Sequence, residues 1–159
     1  DWSSDVCSSD LESGRGSLQT MCYQPGEDIM PFELWVLAWG CILALVHIFA
    51  AAHVKTRQYG TKWNVGARDE DLPAPQPLVG RMIRAQANFF ETFPIAAAAM
   101  LIVAVTGLGN QWTQLGAALW IGARVIYLPL YALGIPVVRT IVFLISIAGI
   151  IMMLWPALS

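Results

Sequence analysis

Four long stretches of apolar residues, separated by three more polar connections, dominate the pattern along the chain. They run over residues 32–54, 78–106, 112–133 and 136–155. A helix needs roughly 20 mainly apolar residues to cross the hydrocarbon core of a bilayer, and each stretch is long enough. Because a helix satisfies its backbone polar groups internally, the pattern predicts an all-α fold, an integral membrane four-helix bundle over residues 30–159.

The connections differ in length and charge, and this difference predicts the orientation of the helices. Residues 55–77 form a polar loop with four basic side chains and a proline-rich end, whereas residues 107–111 carry no charge. The third connection is a tight Gly-Ile-Pro turn at residues 134–136. Because cytoplasmic loops are enriched in Lys and Arg, the loop 55–77 is expected in the cytoplasm. The short connections make neighbouring helices antiparallel.

The composition of the chain excludes several classes of protein. Of the 159 residues, 57% are hydrophobic and 13% are charged, against about a quarter charged in an ordinary soluble domain. High hydrophobicity excludes an intrinsically disordered chain. The formal net charge of -2 excludes a strongly basic nucleic-acid binder.

Residues 1–29 contain no apolar run and are expected to lie outside the membrane domain. Residues 1–11 resemble a translated sequencing adapter, so the segment is interpreted as artefactual, with a real disordered tail as the alternative. Met30 opens the first apolar stretch and is the preferred start, and Met21 is the alternative. Without this segment the acidic excess disappears, because six of the eleven acidic side chains lie in it against one of the nine basic ones.

Polar side chains inside the apolar stretches are the main indication of function, because a charge at a helix centre costs about 2.5–3.5 kcal/mol on insertion scales. At helical spacing those of the second stretch fall within an arc of roughly 80°, and those of the third lie at i, i+3 and i+7. The eight residues are Arg81, Arg84, Asn88 and Glu91 in the second stretch, Arg124, Tyr127 and Tyr131 in the third, and Arg139 near the start of the fourth.

The predicted topology brings these polar residues to one half of the membrane. The second helix begins at the cytoplasmic side, the third ends there, and Arg139 follows the turn on the same side. A cation-rich pocket open to the cytosol is therefore expected, suited to a flexible anionic ligand with several carboxylates. An alternative without a ligand remains open, in which Arg81 and Arg84 extend to the headgroups and Glu91 pairs with an arginine on a neighbouring helix.

A motif in the second stretch resembles a known family. The segment Arg84-Ala85-Gln86-Ala87-Asn88-Phe89-Phe90-Glu91-Thr92-Phe93-Pro94 meets every fixed position of the pattern R-A-x-x-N-x-x-E-x-x-P. That pattern is found in the second helix of the MAPEG family, the membrane-associated proteins in eicosanoid and glutathione metabolism. Arg124, Tyr131 and Arg139 resemble the third and fourth helices of that family. The segment 66–70 is similar to its bacterial branch, and the resemblance covers residues 32–156.

The resemblance implies a homotrimer that binds glutathione as co-substrate between subunits. Arg84, Asn88 and Glu91 match its glutathione-binding positions, Arg81 and Tyr131 match further contacts, and Arg139 matches the arginine that stabilises the thiolate. Arg124 and Tyr127, which share the polar face, complete the candidate cofactor-binding set. The implied function is a glutathione-dependent transferase or peroxidase that acts on lipophilic electrophiles dissolved in membrane lipid. The implied location is a bacterial inner membrane.

A non-catalytic protein remains the competing hypothesis. It would be a membrane scaffold or a transporter subunit whose polar face is a structural ion-pair network. No metal site is expected, because His47 and His53 are six residues apart and lie on different helix faces, where helix packing is the simpler role. Gly116 and Gly122 are interpreted as close-packing positions between helices.

Overall fold

A computed structural model describes residues 30–69 and 71–159 of the chain. The expectations for residues 1–29 lie outside this described part. The described residues form helices and contain no strand, in the order α1 (Phe32–Tyr59), α2 (Thr61–Val65), α3 (Pro77–Thr106), α4 (Gln111–Leu133) and α5 (Pro136–Leu158). The four longer helices are each long and apolar enough to cross a membrane. The predicted all-α fold with four apolar helices is therefore confirmed.

The helices extend further into the polar connections than hydrophobicity alone indicated. The first apolar stretch was predicted to end at residue 54, but α1 continues to Tyr59 because Lys55 and Arg57 are compatible with a solvated helical turn. The helix stops where Gly60 adopts a φ of 89°, a conformation that favours glycine. The five-residue helix α2 follows directly and was not predicted.

A hydrogen-bonded junction joins the start of α1 to the start of α4. The Asn110 side chain accepts bonds from the backbone of Trp112 and Thr113, at 2.8 and 3.1 Å, and so caps α4. The Thr113 hydroxyl accepts from the Asn110 backbone N–H at 2.8 Å and donates to the Glu33 carboxylate at 2.6 Å. Glu33 is only 2% exposed, so this bond satisfies part of a buried carboxylate.

The core of the bundle is built around Trp120. Its six-membered ring lies against Gly40 of α1, where an added Cβ would come within 3.1 Å of the ring, and it stacks on Phe93 of α3. The helices α4 and α5 cross closely where Gly116 meets Gly149. Trp120 is fully buried, whereas four other tryptophans are exposed on the bundle surface: Trp35, Trp39, Trp112 and Trp155.

Candidate functional site

Arg124 joins α4 to the polar face of α3. Its side chain is 1% exposed, and its Nη1 donates to Asn88 Oδ1 at 2.9 Å while Nη2 donates to Thr92 Oγ1 at 2.7 Å. The two acceptors are one helical turn apart on α3, which is the spacing that a planar guanidinium can bridge. Asn88 is thereby held in a fixed orientation by a residue of the neighbouring helix.

Aromatic rings continue this polar array towards the end of α4. The Arg124 guanidinium carbon lies 5.5 Å from the centroid of the Tyr127 ring, and the Tyr127 and Tyr131 rings are 5.4 Å apart. The Arg139 guanidinium, on the first turns of α5, lies over the Tyr131 ring at 4.4 Å. Cation–π contacts of this kind hold a guanidinium by its face and leave its N–H groups available to other acceptors.

Arg81 binds the carboxyl end of α4. Its Nη1 donates to the Ala132 carbonyl at 2.9 Å, and a Cβ added to Gly134 would lie 2.7 Å from the same nitrogen. Gly134 has a φ of 77° and ends α4 in the left-handed conformation. A cation at the carboxyl end of a helix is favoured by the helix dipole, so Arg81 stabilises the turn that places Arg139.

Arg84 and Glu91 lie on the surface of the chain. Both side chains are exposed and share one face of α3, because seven residues correspond to nearly two full turns. Glu91 is fourteen residues into α3, which places it roughly 20 Å along the helix. Within residues 30–69 and 71–159 no carboxylate lies within 4.0 Å of a basic side chain. Two charges of the apolar helix α3 therefore lie on the outside of a single chain.

The structure brings five of the eight candidate residues into one connected set. These five are Asn88, Arg124, Tyr127, Tyr131 and Arg139. Arg81 contacts the neighbouring turn, and Arg84 and Glu91 remain on the surface.

Two members of the site were not predicted from the sequence. Thr92 accepts a hydrogen bond from Arg124, and Phe143 lies under the Arg124 guanidinium at 5.2 Å. Helical spacing could have suggested both positions, since Thr92 is four residues after Asn88 and Phe143 is four residues after Arg139.

The donor set suits an organic anion. It offers guanidinium groups from three helices, one amide and two phenols, and guanidinium pairs well with carboxylates. Within the described part of the chain, no group of three His, Cys, Asp or Glu side chains could hold a metal ion.

Comparison with known proteins agrees with this arrangement at the level of the family. The model of the MAPEG family matches residues 36–159, a range that includes most of α1 and all the later helices. No curated protein and no solved structure matches the chain.

Proposed function

Because the chain belongs to the MAPEG family of membrane proteins, we propose that it is a glutathione-dependent transferase or peroxidase acting on lipophilic electrophiles. The observation that carries the proposal is the connected array from Asn88 to Arg139, next to two exposed charges on α3. Such an array is costly in a membrane unless it binds something polar.

The charged and polar residues divide into ligand contacts and positioning residues. We assign the carboxylates of glutathione to Arg84 and Arg81, and its amino group to Glu91, because these pairs have opposite charges. Asn88 supplies neutral hydrogen bonds, and Tyr131 borders the same surface. Arg124 and Tyr127 are buried within the chain, so in this proposal they orient the other residues and do not touch the ligand.

Arg139 has the chemical role in the proposal. Thiolate is the nucleophilic form of sulfur, and a free thiol with a pKa near 8.5 is mostly protonated at neutral pH. A guanidinium beside the sulfur favours the anion. When bound, glutathione supplies the sulfur atom that forms the new bond to the electrophile or reduces a lipid hydroperoxide. Arg139 is half-buried and is held over Tyr131, so its position is fixed before a ligand arrives.

The assembly and orientation belong to the same proposal. A second copy of the chain that packs on α3 would cover Arg84 and Glu91, and we propose a homotrimer with the ligand between subunits. The basic loop that contains α2 faces the cytoplasm, and the membrane is a bacterial inner membrane. The lipophilic substrate reaches the site from the surrounding lipid.

A titration tests the proposal directly. Glutathione is added to the purified chain in detergent, and thiolate formation is followed by its ultraviolet absorbance. We expect saturable binding with thiolate formation in the wild type, and binding without thiolate in Arg139→Ala. Arg57→Ala is the matched control, because Arg57 is exposed on the last turn of α1 and lies outside the array. Thiolate formation unchanged in Arg139→Ala, or no binding by a well-folded wild type, would disprove the assignment.

The competing scaffold hypothesis makes a different prediction for the same preparation. An ion-pair network would need carboxylates beside the arginines. Within the described residues, Arg81, Arg124 and Arg139 contact a carbonyl, an amide, a hydroxyl and aromatic rings instead. A transporter subunit would need a polar path across the membrane, whereas the predicted topology brings these polar residues to one half of it. A scaffold would show no affinity for glutathione, and Arg84→Ala would disturb its assembly.

A further inference from the structure

Three buried polar atoms in the core of the bundle have no hydrogen-bond partner among the described residues. They are His47 Nε2 on α1, and Trp120 Nε1 and Arg124 Nε on α4. Each of the three side chains is at least 99% buried. Buried polar groups are nearly always satisfied, so these three unsatisfied atoms in one core call for a partner.

The three residues surround the same part of α3. The His47 ring stacks on the Phe89 ring at 4.3 Å, and the Phe89 ring lies 6.2 Å from the Trp120 ring. Trp120 and Arg124 are one turn apart on α4, and Arg124 binds Asn88, the neighbour of Phe89 in the chain.

The hydrogen-bonding capacities of the three atoms are complementary to one water molecule. His47 Nδ1 lies 2.8 Å from the Leu43 carbonyl, which can only accept, so Nδ1 carries the hydrogen and Nε2 of the neutral ring is an acceptor. Arg124 Nε and Trp120 Nε1 are donors only. A water molecule accepts two hydrogen bonds and donates two, and buried waters typically make about three.

We propose that one water molecule is buried between α1, α3 and α4, accepting from Arg124 Nε and Trp120 Nε1 and donating to His47 Nε2. The water connects His47 to Arg124 and, through Arg124 Nη1, to Asn88. His47 is therefore a positioning residue for Asn88, and this second statement rests on the proposed glutathione site.

A double-mutant cycle on the full chain in detergent tests the shared water. His47→Phe keeps an aromatic ring against Phe89 and removes Nε2, and Trp120→Phe removes the indole N–H. Each single variant is expected to lower the thermal unfolding midpoint. The double variant should fall by clearly less than the sum, because the first substitution already removes the shared partner. A double variant that equals the sum of the two singles would overturn the water site.

His53→Phe provides the matched control for this cycle. His53 lies on the same helix but is exposed, so its substitution combined with Trp120→Phe should be additive. Should a variant fail to fold, the wild type still decides the question. A crystal or cryo-electron microscopy map that shows ordered waters should contain a peak within hydrogen-bond distance of all three atoms. Three atoms too far apart to share one water would refute the site.

Glutathione affinity tests the positioning role separately. His47→Phe is expected to weaken glutathione binding roughly three- to tenfold, the effect of one lost hydrogen bond, with the oligomer unchanged. His53→Phe should bind as the wild type does. Unchanged affinity in His47→Phe would overturn the positioning role. A wild type that does not bind glutathione would instead overturn the proposed function, and the cycle would still decide the water site.

Discussion

Arg124 is a buried cation that neutral groups hold in place. Its bonds go to an amide and a hydroxyl on α3, and aromatic rings lie against its guanidinium. A buried charge without a counter-ion is expensive, so it persists only where hydrogen bonds and ring faces replace its water. Its planar, rigid fork also fixes the distance between α3 and α4 at this depth.

Replacement of Arg124 by lysine tests the role of the planar guanidinium that bonds both Asn88 and Thr92. A lysine keeps the charge but cannot bridge Asn88 Oδ1 and Thr92 Oγ1 in one plane, so we expect Arg124→Lys to lose about 1.5–3 kcal/mol in the free energy of unfolding. The free energy is measured by denaturant unfolding in detergent. Arg57→Lys, at an exposed position on the last turn of α1 outside the array, is the control and should change it by less than about 0.5 kcal/mol. Equal stability of Arg124→Lys and the wild type would show that the fork is dispensable.

Helical periodicity predicted the polar face of α3 and the polar side of α4, because charges inside apolar stretches stand out in the sequence. It did not predict the bond from Arg124 to Thr92, since a threonine in a helix usually bonds its own backbone, as Thr92 also does here. In a single chain Asn88 is partly buried, whereas Glu91 on the same polar face is exposed. Periodicity shows which residues share a helix face. It does not show whether that face packs on another helix of the same chain or on another subunit.

The crossing of α4 and α5 depends on two glycines. A Cβ added to Gly149 would lie 2.5 Å from the Gly116 carbonyl oxygen, which forces the helices apart. We expect Gly149→Ala to lower the free energy of unfolding by about 1–3 kcal/mol, as overpacking does. Gly122→Ala is the control: no heavy atom lies within 4 Å of its added Cβ, and better helix propensity should stabilise α4 by up to about 1 kcal/mol. An unchanged free energy of unfolding in Gly149→Ala would show that α4 and α5 can move apart without loss of stability.

The same pair of helices shows what the sequence leaves open at the scale of elements. Gly116 and Gly122 were predicted alike as close-packing positions, yet only Gly116 touches another helix in the described chain. They are six residues apart on α4 and therefore face different directions, and the partner Gly149 could be identified only once the helices were placed against each other. The helix lengths followed from hydrophobicity, whereas the polar extension of α1 and the short α2 did not.

The junction between α1 and α4 gives a second prediction at this scale. Thr113→Val keeps the shape of the side chain but removes the hydroxyl that donates to Glu33 and accepts from Asn110. A buried carboxylate that loses its donor should cost about 1–3 kcal/mol, seen as a lower unfolding midpoint. Thr106→Val serves for comparison, because the Thr106 hydroxyl is exposed and bonds only its own helix at 2.6 Å. If Thr113→Val and Thr106→Val have the same unfolding midpoint, the junction does not stabilise the bundle.

At the scale of the whole molecule, the bundle of four apolar helices follows directly from the hydropathy pattern, because the bilayer admits few other solutions. The topology follows from the short connections at 107–111 and 134–136. The surroundings of the bundle, by contrast, do not follow from the hydropathy pattern. The exposed apolar surface of the four long helices can face lipid or another copy of the chain, and hydropathy is the same in both cases.

The two exposed charges on α3 favour another copy of the chain, as in the proposed homotrimer, over lipid. In a monomer, Arg84 and Glu91 would both meet the bilayer, at about 2.5–3.5 kcal/mol each on insertion scales. Packing α3 against α3 of other copies removes that penalty by pairing the charges or by hydrating them together. For the proposed homotrimer we expect the detergent-solubilised chain to have a protein mass three times the 17.4 kDa of one chain by light scattering corrected for detergent. Leu101 is an exposed apolar residue on α3 beyond the charges, and Leu101→Ala should leave the mass unchanged. The double variant Arg84→Glu and Glu91→Arg tests whether the two charges set the alignment of the α3 helices of neighbouring copies. A wild type of single-chain mass would mean that these charges reach the membrane surface unaided, and the intersubunit site would have to be abandoned.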